Sequence, residues 1–386
     1  MSFKDLIKPA QAILKRNDRG GFTIPTNHLY PAQWLWDSGF IALGLMTFDE
    51  PRAWQEVASL FKGQWDDGML PSIAFHVDAS TYMPGPDIWQ VESRHGIPTS
   101  GITQPPIIAT CLRRMLDMAH DKNLAAGFFR EHLDGIRQNL KWYMTARDPE
   151  GLGLTVSYHP WETGMDNSPA WDLPLLNVST RYLETYERKD VENADPSHRP
   201  LKEDYDRFMN LVFQFRHLDY DPARMWKEAE FKVYDICTNA ILYRAIEDFI
   251  HISRWMGETD KIDYFEEYQD KMSLAFERLW DGDHKGYLNY DLIAQERIPS
   301  FSSAGFLPLY AGLPDRHKMY TVKSTIEKWA GQSRFGLPTF SPDQDGYEAQ
   351  RYWRGPAWIN MNWLVTVGLE ERGHADLAAQ IKDYTL

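Results

Sequence analysis

Two cysteines in 386 residues, Cys111 and Cys237, exclude a disulfide framework and a cysteine-rich zinc site. Each falls inside an apolar helical pattern, where a buried, reduced thiol is expected. Positive charge is also short. The 41 Lys and Arg face 55 Asp and Glu, a formal net charge of −14, and such a chain offers no sequence-independent phosphate-binding surface. Nucleic acid is therefore not an expected partner. No apolar run approaches a membrane span, and in the N-terminal MSFKDLIKPAQ Lys4, Asp5 and Lys8 interrupt the apolar stretch that a signal peptide needs. A cytoplasmic protein with no membrane partner is the expectation. The HExxH, phosphate-loop, dinucleotide-fingerprint and nucleophile-elbow motifs are missing, and the 12 His do not fall at metal-ligand spacing. No metal and no cofactor is called for. His76, His95 and His159 lie near loops of interest, but each reads as a structural or rim histidine.

Strand-like alternation is scarce as well. Pieces such as GLTVSYH and GYLNYD suit local hairpins rather than a central sheet, which excludes most doubly wound and TIM-type architectures. Helical periodicity instead recurs over residues 2–17, 33–47, 50–64, 105–120, 125–147, 202–217, 235–257, 260–281, 316–331, 356–371 and 374–383. These spans predict one all-α domain of antiparallel helix pairs over residues 1–386. Eleven spans are one short of the twelve that a closed ring of six hairpins requires, and the deficit lies at one end. Long loops rich in Pro, Gly and Trp occupy residues 65–104, 148–201 and 332–355, and loops of that length in a compact domain are usually functional. The polar stretch KDVENADPSHRPLKED, residues 189–204, reads as an exposed excursion.

What the chain has in abundance is aromatic side chains, 14% of residues with 15 Trp and 19 Tyr, many beside Gly, Pro and Asp. There they are harder to explain as core and suit sugar-stacking platforms. Three segments concentrate them. LYPAQWLWDSGF, residues 29–40, puts Tyr30, Trp34, Trp36 and Asp37 at a loop-to-helix junction. The bland account is a helix N-terminus with Asp37 near its dipole; the other is a sugar subsite in which rings cover the C–H face of a pyranose and Asp37 accepts from hydroxyls. SYHPWETGMDNSPAWD, residues 157–172, holds Glu162, Asp166 and Asp172 between Trp161 and Trp171. A helix cap before Pro169 accounts for some of these residues but not for the tryptophans around the acids. A carboxyl beside large apolar rings is desolvated and its pKa rises, the condition for a general acid at neutral pH. RYWRGPAWINMNW, residues 351–363, opens a helix after a Gly-Pro turn with Tyr352, Trp353, Trp358 and Trp363. Smaller signals are Gln104, before a Pro-initiated helix, and Tyr82, in a turn.

With these motifs in this order, the chain resembles glycoside hydrolase family 63, and within it the short bacterial branch of mannosylglycerate and glucosylglycerate hydrolases. LYPAQWLWDSGF, TSGITQPP, HPWETGMDNSPAWD and YWRGPAWINMNW carry the resemblance, which runs over essentially the whole chain. It implies an (α/α)₆ barrel, metal-free hydrolysis with inversion, and Asp166 as general acid. It also implies sugar contacts from Tyr30, Trp34, Trp36, Asp37, Gln104, Arg207, Trp161 and Trp358. Tyr82, Tyr352 and Trp353 resemble positions near the glycerate carboxylate. The family's general base is a Glu in a motif like EYFDPxTG that precedes a last barrel helix, and no such motif stands before Leu386. Base and last helix are therefore expected beyond residue 386, with Glu348 as the in-chain alternative. The implied partner is a small sugar or sugar-acid glycoside. A trehalase-like or oligosaccharide α-glucosidase and a non-catalytic sugar-binding protein remain alternatives, and the oligomeric state stays open.

Overall fold

A computed structural model describes residues 3–27, 29–192, 194–260 and 262–385. The expected helix start at residue 2, position 193 of the polar excursion and position 261 of the expected 260–281 helix lie outside the described residues. All eleven periodic spans are helical: α1 Phe3–Asn17, α2 Leu35–Met46, α3 Glu50–Lys62, α4 Ile108–Met118, α5 Lys122–Ala146, α6 Lys202–His217, α7 Ile236–Met256 and α8 Ile262–Phe276, followed by α9 Leu307–Ala311, α10 Arg316–Gln332, α11 Ile359–Glu371 and α12 Ala375–Thr385. The addition is α9. Its LPLYA is five residues long, too short to show a period, and every residue of it is buried.

Local chemistry explains the boundaries. Asp49, Asp121, Asp235 and Asp315 accept from backbone N–H groups of the first turns of α3, α5, α7 and α10, satisfying donors that have no partner inside the helix. Helix α7 ends at Gly257 in the left-handed conformation, φ 75°. Strands are confined to two-residue pieces. Gln33–Trp34 pairs antiparallel with Ile73–Ala74 just before α2, and Val156–Ser157 pairs with Val233–Tyr234 at the mouth of the Asp166 loop.

Helices α2, α4, α7, α9 and α11 pack in that sequence as successive neighbours around one buried core, with α3, α5, α8 and α12 outside them. Helices α11 and α2 meet through Trp363 and Phe40, whose rings lie edge-on at 5.7 Å. The architecture is all-α, in helix pairs. Among the described residues no helix is long and apolar enough to cross a membrane. The three aromatic segments sit at the entries of α2 and α11 and in the Asp166 loop, so the ring's topology brings them to one end.

Candidate active site

The entry to α2 is held from behind. Gln33 is fully buried, and its amide donates to Ser38 Oγ at 3.0 Å, to Ser59 Oγ at 2.7 Å and to the Glu56 backbone carbonyl at 3.0 Å. The Glu56 carboxylate takes further donors from Ser38, Thr23 and Arg52. A buried carboxylate with its lone pairs filled is rigid, so the turn that presents Trp34, Trp36 and Asp37 is fixed by contacts outside the cavity. Gln104 closes the turn from the other side, its Oε1 accepting from the backbone N–H of Trp36 at 3.3 Å.

The Asp166 loop is set by two devices. Gly164 has φ 73°, and a side chain there would place Cβ 2.6 Å from the ring of Trp36. Only glycine meets both demands, so the Trp36 indole rests on bare backbone two residues before Asp166. Glu162 is the second device. Its carboxylate accepts from the backbone N–H groups of Tyr158 at 2.7 Å and Thr103 at 3.4 Å and pairs with Arg147, whose guanidinium lies between the rings of Trp142 and Tyr158 at 4.8 and 4.6 Å. It ties the Asp166 loop to the segment carrying Gln104. The three acids of the motif thus divide: Glu162 is structural, Asp172 forms a two-point surface pair with Arg354, and Asp166 faces the cavity.

The third wall comes from the loop before α11. Trp353 has φ 60°, an uncommon conformation for a non-glycine residue, and its indole stacks on Trp358 at 4.5 Å with 6° between planes. Neither indole N–H has a protein partner, although the atoms are buried; two donors are left for a ligand's hydroxyls. The loop is stitched to the polar excursion by Tyr352 N–H donating to the His198 carbonyl at 3.0 Å and Arg351 Nε donating to that of Ser197 at 3.2 Å.

These elements enclose a cavity of about 760 Å³. Tyr30, Trp34, Trp36, Asp37, Tyr82, Gln104, Trp161, Asp166, Tyr352, Trp353 and Trp358 all line it. Arg207 does not: it lies on α6 and pairs with Asp204 one turn earlier, at 3.7 Å. Glu348 also lies outside the lining, held by Arg351 at 3.1 Å and Arg354 at 3.4 Å. The residue missed in the sequence is Arg199. It belongs to the stretch read as an exposed excursion, much of which is exposed, while its Lys189, Asp190, Arg199 and Pro200 line the cavity. Arg199 Nε donates to Asp190 at 3.0 Å, Nη1 lies 3.4 Å from the Tyr30 hydroxyl, and the guanidinium sits 4.5 Å over the Tyr352 ring. Arg188 grips both oxygens of the same Asp190 at 2.9 and 2.8 Å, so the support under Arg199 is itself immobilised. The only sequence hint was an Arg-Pro pair before a helix.

Asp166 accepts from the Tyr352 hydroxyl at 3.0 Å. Burial pushes its pKa up to about 7; Tyr352 and Arg199 pull it down and Asp37 adds to the rise. Burial also lifts Asp37, to about 6. A carboxyl that is half protonated near neutrality, set among aromatic faces and open to a cavity, can deliver a proton to a leaving oxygen. Among the described residues no group of three or more His, Cys, Asp or Glu is placed to hold a metal ion. His159 is buried, accepts from the Trp161 N–H at 3.0 Å and reaches the Phe208 carbonyl at 3.0 Å; His76 bonds Gln33 at 2.8 Å.

Comparison with known proteins gives this geometry a context. Residues 30–386 match the family described as the mannosylglycerate hydrolase MGH1-like glycoside hydrolase domain. The mannosylglycerate hydrolase of Thermus thermophilus is 46% identical over 374 residues, 97% of this chain and 90% of that protein. The glucosylglycerate hydrolase of Mycolicibacterium hassiacum is 32% identical over 399 residues, 97% of this chain and 87% of its own length. The crystal structure of a GH63 mannosylglycerate hydrolase from Thermus thermophilus in complex with Tris and D-glycerate superposes with a TM-score of 0.94 at 44% identity, covering 98% of this chain and 90% of that one.

Proposed function

The chain belongs to the mannosylglycerate hydrolase MGH1-like glycoside hydrolases of family 63, with their (α/α)₆-barrel-type fold, and we propose that it hydrolyses an α-mannoside or α-glucoside of glycerate with inversion at C1. The observation that carries this reading is the shared tyrosine: Tyr352 donates to Asp166 on one side and lies under the Arg199 guanidinium on the other. A proton donor and a cation then stand on the two sides of one ring, as an acidic aglycone whose glycosidic oxygen must be protonated requires.

In the proposed reaction the pyranose stacks against Trp34, Trp36, Trp161 and Trp358, and Asp37 and Gln104 take its hydroxyls. The indole N–H groups of Trp353 and Trp358 supply further donors. Asp166 gives its proton to the glycosidic oxygen as the C1–O bond breaks with its electron pair going to that oxygen. A water oxygen bonds to C1 from the opposite face and loses a proton to a second carboxylate, which an inverting pair holds roughly 6.5 to 9.5 Å from the first. By the family resemblance that second carboxylate is a Glu in a motif like EYFDPxTG. Aromatic walls exclude bulk water and strengthen the electrostatics inside.

The test is proton NMR of the first-formed sugar anomer with α-mannosylglycerate, α-glucosylglycerate and trehalose offered in parallel. A β-anomer from either glycerate glycoside is expected. An α-anomer refutes inversion, and cleavage of trehalose alone refutes the substrate class. Calorimetric binding of the glycerate glycosides with no sugar released by the natural full-length protein makes the chain a sugar-binding protein.

A further inference from the structure

Arg199 is placed to do more than hold an anion. Its guanidinium reaches Asp166 through one ring, stacked 4.5 Å over Tyr352, whose hydroxyl donates to Asp166 Oδ2 at 3.0 Å. Three of its contacts fix it there, Asp190, Tyr30 and Tyr352, and only Asp190 is a full counter-charge. Asp190 is shared with Arg188, so two cations stand against one carboxylate and the cluster keeps a net positive charge beside the acid. That charge favours ionised Asp166, the wrong state for a proton donor. The guanidinium therefore lowers the fraction of Asp166 that carries its proton until something cancels the charge.

We propose that Arg199 couples recognition of an anionic aglycone to the proton on Asp166: the substrate's carboxylate, on pairing with Arg199, cancels the pull of the guanidinium and keeps Asp166 protonated when the glycosidic oxygen arrives. This rests on the substrate class proposed above. Arg199 acts as a positioning and tuning residue for Asp166 in addition to binding the aglycone. Discrimination between a glycerate and a glycerol glycoside is then expressed in the rate of the chemical step as well as in affinity. The direction agrees with the shifts, since Arg199 lowers the Asp166 pKa against the larger effect of burial. The other groups within the field of Asp166 are Tyr352, Asp37 on α2, Tyr30 and Tyr82. Asp37 meets the sugar whichever aglycone is bound, whereas Tyr82 and Tyr352 stand near the expected glycerate carboxylate, so the comparison of two aglycones is paired with a substitution of Arg199 itself.

The experiment measures the single-turnover rate at saturating substrate against pH for an α-mannosyl-D-glycerate and for the same sugar's α-glycoside of glycerol. Loss of rate on the alkaline side reports deprotonation of the acid in the bound state. For the glycerate glycoside this limb is expected on the order of one pH unit higher, the scale of cancelling one nearby charge in a protein interior. The corresponding limb of kcat/KM, which reports the free enzyme, is expected to coincide for the two. With Arg199→Gln the bound-state limb of the glycerol glycoside is expected to rise to about that of the glycerate glycoside in the unmodified enzyme, because the cation that favours ionised Asp166 is gone. Coincident bound-state limbs in the unmodified enzyme overturn the proposal. A second measurement is independent of turnover: the ¹³C carboxyl resonance of Asp166 is titrated with saturating D-glycerate or glycerol. An upward shift with D-glycerate alone supports the coupling, even if neither glycoside is cleaved and the substrate assignment falls. An unshifted titration with D-glycerate bound, or no binding of D-glycerate, refutes it.

Discussion

Replacing Asp166 with Asn should remove activity and stabilise the protein at alkaline pH, and the two effects have one cause. The carboxyl's pKa is raised from 3.8 to about 7 by burial, so below about pH 4 it is protonated in both folded and unfolded chains and its titration contributes nothing. As pH rises the unfolded chain releases the proton first. The folded state binds more protons, and stability falls between the two pKa values and then levels off above about 7. Taking 1.36 kcal/mol per unit, the penalty grows by about 2 to 3 kcal/mol between about pH 5 and pH 8. Asn carries no such penalty. Urea unfolding of both proteins at the two pH values should therefore show the variant gaining by about that amount at the higher pH, whatever fixed loss the amide causes at both. Hydrolysis should fall by roughly 10² to 10⁴, the contribution of a positioned general acid. A stability gap independent of pH, or one that moves against the variant on going alkaline, would show that Asp166 is not held protonated and would refute the reasoning.

Glu162→Gln breaks a fully buried pair and leaves Arg147 without its counter-charge, so a loss of about 3 to 5 kcal/mol is expected by chemical unfolding. Activity should fall with it, because the same carboxylate binds the Thr103 and Tyr158 N–H groups that set Gln104 and the Asp166 loop. Gly164→Ala forces a positive φ on alanine and a methyl into the Trp36 ring; about 1 to 3 kcal/mol is lost, and KM should rise as Trp36 leaves its seat, measurable with any cleaved glycoside. Glu348→Gln, by contrast, touches only half-exposed pairs with Arg351 and Arg354. It should change stability by less than about 1 kcal/mol and leave kcat within about threefold of the unmodified enzyme, since lost catalytic groups cost far more; a fall of two decades or more would instead identify it as the water-activating base.

The helices were legible because each is long enough to repeat its period and four of them, α3, α5, α7 and α10, announce their start with an aspartate. Helix α9 was not, being five residues that gain their stability wholly from burial between α7 and α11. The same distinction separates the site residues. Trp34, Trp36, Trp358 and Asp166 could be found because large rings beside Gly, Pro and Asp have no economical explanation as core. Glu162 shares that setting with Asp166, and spacing alone does not say which carboxyl turns inward to Arg147 and which toward the cavity.

Arg199 marks where sequence reasoning stops. Arg207 was implied as a sugar contact by the family resemblance, and the fold directs it to Asp204 instead. Arg199 sits in a stretch of 16 polar-rich residues that looks solvated, and such a stretch normally is. Its placement follows from two pairings distant in the chain, Tyr352 N–H on the His198 carbonyl and Arg351 on Ser197, and from the local sharing of Asp190 by Arg188 and Arg199. None of these partners is implied by its neighbours in sequence. The loop that carries the stacking aromatics and the loop that carries the cation are ordered by each other, so the Arg199 end of the cavity exists only in the assembled fold. If that mutual ordering is correct, Arg199→Gln should loosen Tyr352 as well and raise the Asp166 carboxyl further, read from its ¹³C carboxyl titration, because Tyr352 and Arg199 are the groups that hold it down.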